Sequence, residues 1–368
     1  MPIRPFLFSA VAALLFLASC APGQQPLTAA EAAQFGRRLE RSLALRRTGP
    51  FDSLFNETVF GERIAAAIGE SSNPLFVKGV IAGIRKKRLG KEIIDNIGKD
   101  GSYTLLRQYE KDGHHHLLFR LMGANGFNYH DMELVKSGDK VKAADLFVYL
   151  SGENLSETMA GTFSAMSASD GKDDEKIVAT TTRLTAMRNL VQQGRYADAP
   201  AAYKSFPRML QNVRAMQVMN LQVLAELDKK EFEEALNRFE ASYGSEGASQ
   251  LMLLNGHLVV GNFDKALNAL NALDTAVKGD PMLNYYRGLI YFQRGDDARA
   301  FTCLEKLQQD LPDFGDGSLQ LIAKYLQTNQ EQKAGKVFAA YRANRRLNQQ
   351  KLAPIQVMYP DFAKKYGN

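Results

Sequence analysis

The stretch that decides the fold is residues 280–312, DPMLNYYRGLIYFQRGDDARAFTCLEKLQQDLP. It opens with Asp280 and a proline, a pair typical of a helix N-terminus, where aspartate caps the first turn and proline is tolerated. Gly295 then interrupts the stretch with a residue that ends helices in the left-handed conformation. Ala300 and Leu304 follow one helical turn apart, so they share a face. The stretch therefore predicts two helices that pack against each other.

The same pattern recurs through the second half of the chain. Five alanines stand at steps of 36, 31, 34 and 34 residues, namely Ala199, Ala235, Ala266, Ala300 and Ala334. Five residues before them stand Gly194, Lys230, Gly261, Gly295 and Asn329. Four residues after them stand Tyr203, Phe239, Leu270, Leu304 and Phe338. Internal periods of this length indicate stacked units that bury their apolar faces only against neighbours.

This pattern resembles the tetratricopeptide repeat (TPR). The third unit carries the resemblance in GNFDKA at 261–266. The fourth unit carries it best, in Gly288, Tyr291, Gly295, Ala300, Leu304 and Pro312. The resemblance implies an all-α superhelix of about five TPR-like units over residues 176–350, followed by a tail over 351–368. The alternative is an irregular helical bundle without a superhelix.

Tetratricopeptide arrays bind partners along their concave face, so the resemblance also implies a partner-binding groove. The residues at the corresponding positions are Arg188, Asn220, Leu224, Asn255, Tyr285, Leu289 and Phe292. Asparagine side chains can both donate to and accept from an extended backbone, which favours a protein or peptide as the partner. The alternative is that many of these side chains face packed neighbours.

The N-terminus has the pattern of a secretory signal. Arg4 supplies a positive start, and residues 6–17 form an apolar run broken by one serine. The run is too short for a permanent membrane span and has the length of a signal segment. It ends in LASC at 17–20, which resembles the lipobox of bacterial lipoproteins.

The lipobox resemblance implies a signal peptide over 1–19, a lipid on Cys20 and a tether over 20–30. Two or more acyl chains hold a protein stably at a membrane. Ala21 follows the cysteine, which by the sorting rules of Gram-negative lipoproteins favours the outer membrane facing the periplasm. The alternative is plain secretion with an unmodified cysteine.

Residues 31–168 predict an α+β domain, in which helices are followed by a four-stranded antiparallel sheet. Thr28 and Glu31 form a capping-box pattern at the start of the first helix. A polar linker is expected over 169–175. Helices are expected from residue 28, over 51–68, from residue 74 and around 93–97, and strands over 103–110, 115–122, 127–135 and 141–150.

The Asn-Gly dipeptide at 125–126 is a strong signal for a two-residue hairpin turn. It predicts that Ala124 faces Phe127. With that register, Arg120 lies directly across from Asp131, a favourable pair of opposite charges.

Helices followed by a curved antiparallel sheet resemble the NTF2-like superfamily, which implies a pocket between the helices and the sheet. His130 would lie on the inner face, and Asp145 would share that face through its alternation with Ala143 and Phe147. The two side chains could form an acid–base pair. Alternatively, His130 is a structural histidine satisfied by a neighbour.

Other features exclude some classes of function. The net charge of +6 is mild and spread along the chain, which argues against a nucleic-acid partner. Neighbouring residues of a strand point to opposite faces, so the three histidines at 114–116 make at most half a zinc site, and a solvated turn is expected. We find no hydrolase, metalloprotease or nucleotide-binding motif and expect neither metal nor cofactor. Cys303 is expected to be a small buried residue of a helix.

Basic residues gather near the tether, at Arg37, Arg38, Arg41, Arg46 and Arg47 and again at 85–88. They could face anionic lipid headgroups. The alternative is a solvated helix face.

Together these patterns predict a non-enzymatic, lipid-anchored scaffold or adaptor of the cell envelope whose repeats hold a protein or peptide. The alternative is a small-ligand-binding or enzymatic α+β domain supported by structural repeats.

Overall fold

The computed structural model describes residues 26–123, 126–170 and 174–367. Within those ranges the chain forms 19 α-helices and one five-stranded antiparallel sheet, so the fold is mixed α+β and mostly helical. The predicted signal peptide and Cys20 lie outside the described residues, as do Ala124 and Asn125.

Five helices precede the sheet. The capping box predicted at Thr28 is confirmed, because its side chain accepts from the Glu31 amide while the Glu31 carboxylate accepts from the Thr28 amide. The single helix predicted over 51–68 is wrong, since the chain there forms two helices. The five are α1 (Ala29–Ala44), α2 (Gly49–Asp52), α3 (Glu57–Ile68), α4 (Pro74–Lys87) and α5 (Leu89–Ile97), with a 3₁₀ turn at Gly69–Ser71.

The break between α2 and α3 occurs because the chain pairs there with the sheet. The Asn56 amide donates to the Ala143 carbonyl at 2.8 Å, and the Ala143 amide donates to the Leu54 carbonyl at 2.9 Å. A helix would have used these groups internally. Asn56 then caps α3 by accepting from the Val59 amide at 3.3 Å.

The sheet contains five strands whose order in space follows their order in the chain. The four predicted strands are confirmed, and the short fifth strand was not predicted. The strands are β1 (Ser102–Lys111), β2 (His114–Gly123), β3 (Gly126–Ser137), β4 (Lys140–Val148) and β5 (Glu153–Asn154).

The predicted register of β2 against β3 is wrong by two residues. Gly123 pairs with Gly126, and Arg120 therefore faces Tyr129 rather than Asp131. The strand extends to Gly123 beside α5, and only glycine fits there, because a Cβ at this position would lie 2.1 Å from a backbone carbonyl oxygen of that helix. A shift of two residues keeps every side chain on its original face, so the predicted faces of the two strands are retained.

One face of the sheet packs against the N-terminal helices. Apolar side chains from α1, α3 and α5 meet those of the central strands in a single cluster that excludes water and stabilises the layer. Its buried members include Phe35, Leu39, Phe60, Ile64, Ile93, Phe119, Met132, Leu134 and Leu146.

The remaining chain is helical. The first helix, α6, continues to Asp170 and the next begins at Asp174, so helix covers both ends of the predicted linker over 169–175. The 3₁₀ turns lie at Tyr196–Asp198, Gly247–Ser249 and Gln349–Leu352. The helices are α6 (Leu155–Asp170), α7 (Asp174–Gln192), α8 (Ala199–Lys204), α9 (Arg208–Gln211), α10 (Arg214–Leu224), α11 (Lys229–Tyr243), α12 (Gln250–Val260), α13 (Phe263–Ala276), α14 (Leu283–Gln293), α15 (Asp297–Asp310), α16 (Gly315–Gln327), α17 (Glu331–Ala343), α18 (Ala353–Met358) and α19 (Pro360–Tyr366).

From α10 onward the helices pack as consecutive pairs, α10 with α11, α12 with α13, α14 with α15 and α16 with α17, and each pair contacts the next. All five spaced alanines are buried. The predicted left-handed turns are confirmed, with φ between 58° and 81° at Gly194, Gly261, Gly295 and Asn329. The first unit departs from the pattern because its second helix, α8, has only six residues.

The second face of the sheet packs against the middle of the helical part. The rings of Phe127 in β3 and Tyr286 in α14 lie with their centroids 4.7 Å apart. Sheet and helices therefore share one apolar cluster. Its buried members include Leu118, Phe127, Tyr129 and Tyr149 from the sheet and its end, and Leu251, Met252, Met282 and Leu283 from the helical part.

Close helix approach at Gly256 gives a testable prediction. A Cβ at Gly256 in α12 would lie 2.3 Å from Cδ1 of the buried Leu236 in α11. Overpacking of this kind costs about 1–3 kcal/mol, more than the roughly 1 kcal/mol gained by replacing a helical glycine. We expect Gly256→Ala to lower the free energy of unfolding, measured by urea denaturation, by about 1 kcal/mol.

Gly79→Ala is the matched control, because Gly79 lies inside α4 with nothing within 4 Å of the new methyl group. This variant should raise stability. Equal stabilisation by both substitutions would contradict the close approach of α11 and α12.

Candidate functional site

A buried carboxylate lies where the sheet meets the helix pairs. Asp280, only 4 % exposed, precedes α14 and forms an ion pair with Arg120 of β2. The Tyr129 hydroxyl donates to its second carboxylate oxygen at 2.8 Å, and the Met282 amide donates to the first at 3.0 Å. Burial, and then the charge of Asp280, raise the pKa of the Tyr129 hydroxyl well above its usual value, so that it stays a donor.

Two sequence predictions are corrected at this point. Asp280 does not cap α14, which begins at Leu283 with Met282 as its N-cap residue. Arg120 does not pair with Asp131 across the hairpin. Arg120 instead pairs with Asp280, because the apolar cluster around these two residues excludes the water that would otherwise solvate each charge separately.

The structure buries part of the predicted partner groove. Asn220 and Leu224 of α10 are only 9 % and 4 % exposed. Arg188 of α7 forms an ion pair with Glu92 of α5, which ties the first unit to the N-terminal helices. Of these three residues, Arg188 is therefore paired within the protein, and Asn220 and Leu224 are largely buried.

Two aromatic groove residues contact neighbouring elements. The Tyr285 ring lies 5.3 Å from that of Phe314, just before α16, and the Phe292 ring lies 5.3 Å from that of Phe301 in α15. Both tyrosine and phenylalanine remain half-buried. Tyr285 therefore joins α14 to the following pair, whereas Phe292 packs within its own pair.

Asn255 and Leu289 are the groove residues that stay most available. Both are half-buried, in α12 and α14. Within the described residues, the side chain of Asn255 makes no hydrogen bond, and neither does that of Asn220. Asn255 therefore presents a free donor and a free acceptor at a surface, whereas those of Asn220 are largely covered.

His130 lies on the face of the sheet that packs against the N-terminal helices, which is the inner face predicted for it, and its side chain is buried there. Its Nδ1 atom lies 3.2 Å from the Tyr103 hydroxyl, and its Nε2 atom lies 3.4 Å from Nδ2 of Asn128. Burial lowers the pKa of His130 to about 4. The imidazole is thus neutral near neutral pH, with partners on both nitrogen atoms.

Asp145 has a different set of partners. Its carboxylate accepts from the Leu146 amide at 2.8 Å and from the amide and hydroxyl of Ser156 at the start of α6. Burial raises the pKa of Asp145, while these hydrogen bonds oppose the rise. The carboxylate therefore anchors the start of α6 to β4, where a helix N-terminus favours negative charge.

His130 and Asp145 are not brought together. His130 pairs with Val148, three residues beyond Asp145, so the two side chains belong to opposite sides of the pleat. The alternation used to place Asp145 fails because a bulge separates Ala143 from Asp145. Ala143 joins the core under the N-terminal helices, whereas Phe147 contacts the cluster shared with the helix pairs.

The three histidines at 114–116 lie in β2 rather than in a solvated turn. His116 Nδ1 lies 3.1 Å from Asp131 Oδ1, and the Tyr109 hydroxyl donates to the same carboxylate. His115 Nε2 lies 2.9 Å from the Leu27 carbonyl oxygen. Sequence reasoning missed this Tyr109–Asp131–His116 group, although alternate positions on paired strands could have indicated it.

Among residues 26–123, 126–170 and 174–367, no group of three or more His, Cys, Asp or Glu side chains has the arrangement of a metal site. Cys303 is half-buried in α15, and burial raises the pKa of its thiol. A raised pKa disfavours the thiolate form that nucleophilic cysteines use.

Comparison of the chain with protein-family models, curated proteins and solved structures gives no match. Within the described part of the chain, every helix falls short of the length and apolar character needed to cross a bilayer.

The buried ion pair gives a second prediction. Replacing Asp280 by alanine leaves the Arg120 guanidinium buried without its counter-charge, which typically costs about 3–5 kcal/mol. We expect Asp280→Ala to lower the free energy of unfolding by this amount in urea denaturation. Asp313→Ala is the control, because Asp313 pairs with Arg346 at an exposed site where such pairs contribute little. Similar small losses in both variants would refute the buried pair.

His130 gives a prediction on pH. Its pKa is lowered to about 4 in the folded protein, below the 6.5 of a free histidine. Its contribution to stability is therefore complete above pH 6.5 and is lost as the pH falls from 6.5 to 4, by about 3 kcal/mol. We expect His130→Gln to lose correspondingly less stability than the unmodified protein between pH 7.5 and pH 4, measured by chemical denaturation at each pH. Parallel pH profiles would show that His130 titrates normally.

Proposed function

We propose that this chain is a lipid-anchored, non-enzymatic scaffold of the cell envelope, which holds a protein or peptide on its helical pairs. In this proposal Cys20 carries the lipid, and the protein faces the periplasm from the outer membrane. The pairs from α10 to α17 continue the tetratricopeptide pattern as a superhelical array.

The stacked pairs support the proposal most directly. Four consecutive pairs follow one another in chain order, with a buried alanine in the second helix of each. Arrays of this kind bury a continuous core while leaving an extended surface along one side. Such surfaces suit the binding of extended chains because the binding positions repeat at a fixed spacing.

Asn255 supports a partner surface on α12 and α14. Its amide group has no hydrogen-bond partner within the described chain, and Asn255 is half-buried, as is Leu289 at the corresponding position of the next pair. A free amide beside apolar surface can bond a peptide backbone while its neighbours hold side chains. The proposed surface is therefore narrower than the groove expected from the sequence, because Arg188 is paired with Glu92 and both Asn220 and Leu224 are largely buried.

The alternative of an active α+β domain has less support. It needs His130 and Asp145 in one pocket, but the two residues have separate partners and their side chains lie on opposite faces of the sheet. In the scaffold proposal this domain is instead a rigid support, because its sheet shares an apolar cluster with the helix pairs.

Site-specific photo-crosslinking in cells tests the proposed surface. A photoreactive amino acid at Leu289 should form an adduct of defined mass with a protein or peptide, and Asn255→Ala should reduce its yield at least about fivefold, since one lost hydrogen bond costs about 1 kcal/mol. A photoreactive amino acid at Lys306, on an exposed side of α15, should form no such adduct.

Asn220→Ala is the matched control, since this asparagine is largely buried and lies outside the narrowed surface. An adduct whose yield falls equally in both variants, or in neither, would contradict a binding role for Asn255.

Incorporation of labelled fatty acid, with Cys20→Ser as the negative control, tests the anchor separately. Unlabelled protein would refute the anchor.

A further inference from the structure

A cleft rich in positive charge lies between α1 and the turn that joins β3 to β4. Its volume is about 970 Å³. One wall is the first three turns of α1, and the other walls are the start of α2 and the β3–β4 turn. Its charged lining residues are Arg37, Arg38, Arg41, Lys140, Lys142, Glu31 and Asp139.

Most of these cations have no anionic partner. Within the described residues, the side chains of Arg37, Arg41 and Lys140 form no ion pair and no hydrogen bond. Arg38 lies over the Phe35 ring, with its guanidinium carbon 5.2 Å from the centroid. Ten arginines elsewhere in the described residues pair with a carboxylate, whereas none of the three that line this cleft does.

The acidic residues of the cleft do not balance this charge. The Glu31 carboxylate is already paired with Lys136, whose Nζ lies 2.8 Å from Oε1. That pairing and the contacts with Thr28 lower the pKa of Glu31 to about 2. Of the acidic residues that line the cleft, Asp139 is then left to balance the charge of its five arginines and lysines.

Lys142 also lies among these positive charges. Its ammonium group donates to the Ser53 carbonyl. Burial is the main cause that lowers the pKa of Lys142, and the charge of Lys140 lowers it further; Glu57 opposes this by more than Arg38 adds to it. A bound anion would relieve this repulsion.

We propose that this cleft binds the phosphate of an anionic phospholipid headgroup at the membrane surface. Arginine suits this ligand because its planar guanidinium can donate two hydrogen bonds to one phosphate. Three arginines on adjacent turns of α1 can therefore hold one phosphate group while Lys140 approaches it from the opposite wall.

The position of the cleft favours a lipid over a free anion, and this step rests on the proposed anchor at Cys20. The first residue of α1, Ala29, stands nine positions after Cys20, and a chain of this length spans at most about 30 Å. The attraction of exposed charges to a membrane falls off within roughly 10 Å in physiological salt. A tether of this length lets this wall of α1 reach the headgroups, where a bound phosphate would fix the orientation of the protein.

Vesicle co-sedimentation tests the proposal without the lipid anchor. The chain from residue 20 onward, carrying Cys20→Ser, retains every described residue. It should bind vesicles containing phosphatidylglycerol and not vesicles of pure phosphatidylcholine. Replacing Arg37, Arg38 and Arg41 together by glutamine should weaken this binding about a hundredfold. Lys140→Glu should weaken it roughly tenfold from the other wall.

The matched control removes the same charge from α11, through Lys229→Gln, Lys230→Gln and Arg238→Gln, three exposed residues outside the cleft. This triple variant should bind within about threefold of the unmodified protein, the residual effect of net charge. Equal losses in both triple variants would overturn the cleft as a specific site.

Inorganic pyrophosphate, titrated by calorimetry, separates the two sources of phosphate. Binding of pyrophosphate without binding to phosphatidylglycerol vesicles would overturn the lipid assignment in favour of a soluble anion. Binding of neither would overturn the site altogether. Because the Cys20→Ser protein is used throughout, loss of the anchor proposal in the fatty-acid experiment would leave a positive vesicle result standing.

Discussion

The contact on which the rest of the structure depends is the one between Asp280 and its partners on the sheet. A buried carboxylate costs several kcal/mol unless it is paired and hydrogen-bonded. Arg120, Tyr129 and the Met282 amide satisfy it together. Because these groups come from β2, β3 and the start of α14, they fix how the sheet sits on the helix pairs. That placement covers the second face of the sheet and decides which helices keep an accessible surface.

The features that the sequence predicted well are local ones. The capping box at Thr28 needs four residues, and the left-handed turn at Gly295 needs one. The alanine spacing also predicted helix pairs, because each unit repeats the same short-range contacts. The faces of β2 and β3 were predicted even though their register was not, since a shift by two residues preserves the pleat.

The features that the sequence could not predict depend on distant parts of the chain. Arg120 meets its counter-charge 160 residues away, and no local pattern reports that contact. The bulge next to Ala143 arises where the segment before α3 pairs with β4, and it reverses the face on which Asp145 was expected. The predicted groove loses Arg188 for the same reason, because this residue forms an ion pair with Glu92, which precedes it by nearly a hundred residues.

The shared apolar cluster carries a consequence for how such a protein can change over evolutionary time. Repeat arrays are commonly regarded as modules that recombination can move between genes. Here a fragment beginning at α10 would expose the Tyr286 ring, which now packs on Phe127 of the sheet, and it would leave Asp280 without the counter-charge of Arg120. Inheritance of the helical half is therefore tied to inheritance of the sheet, and the two must diverge together at every residue where they touch.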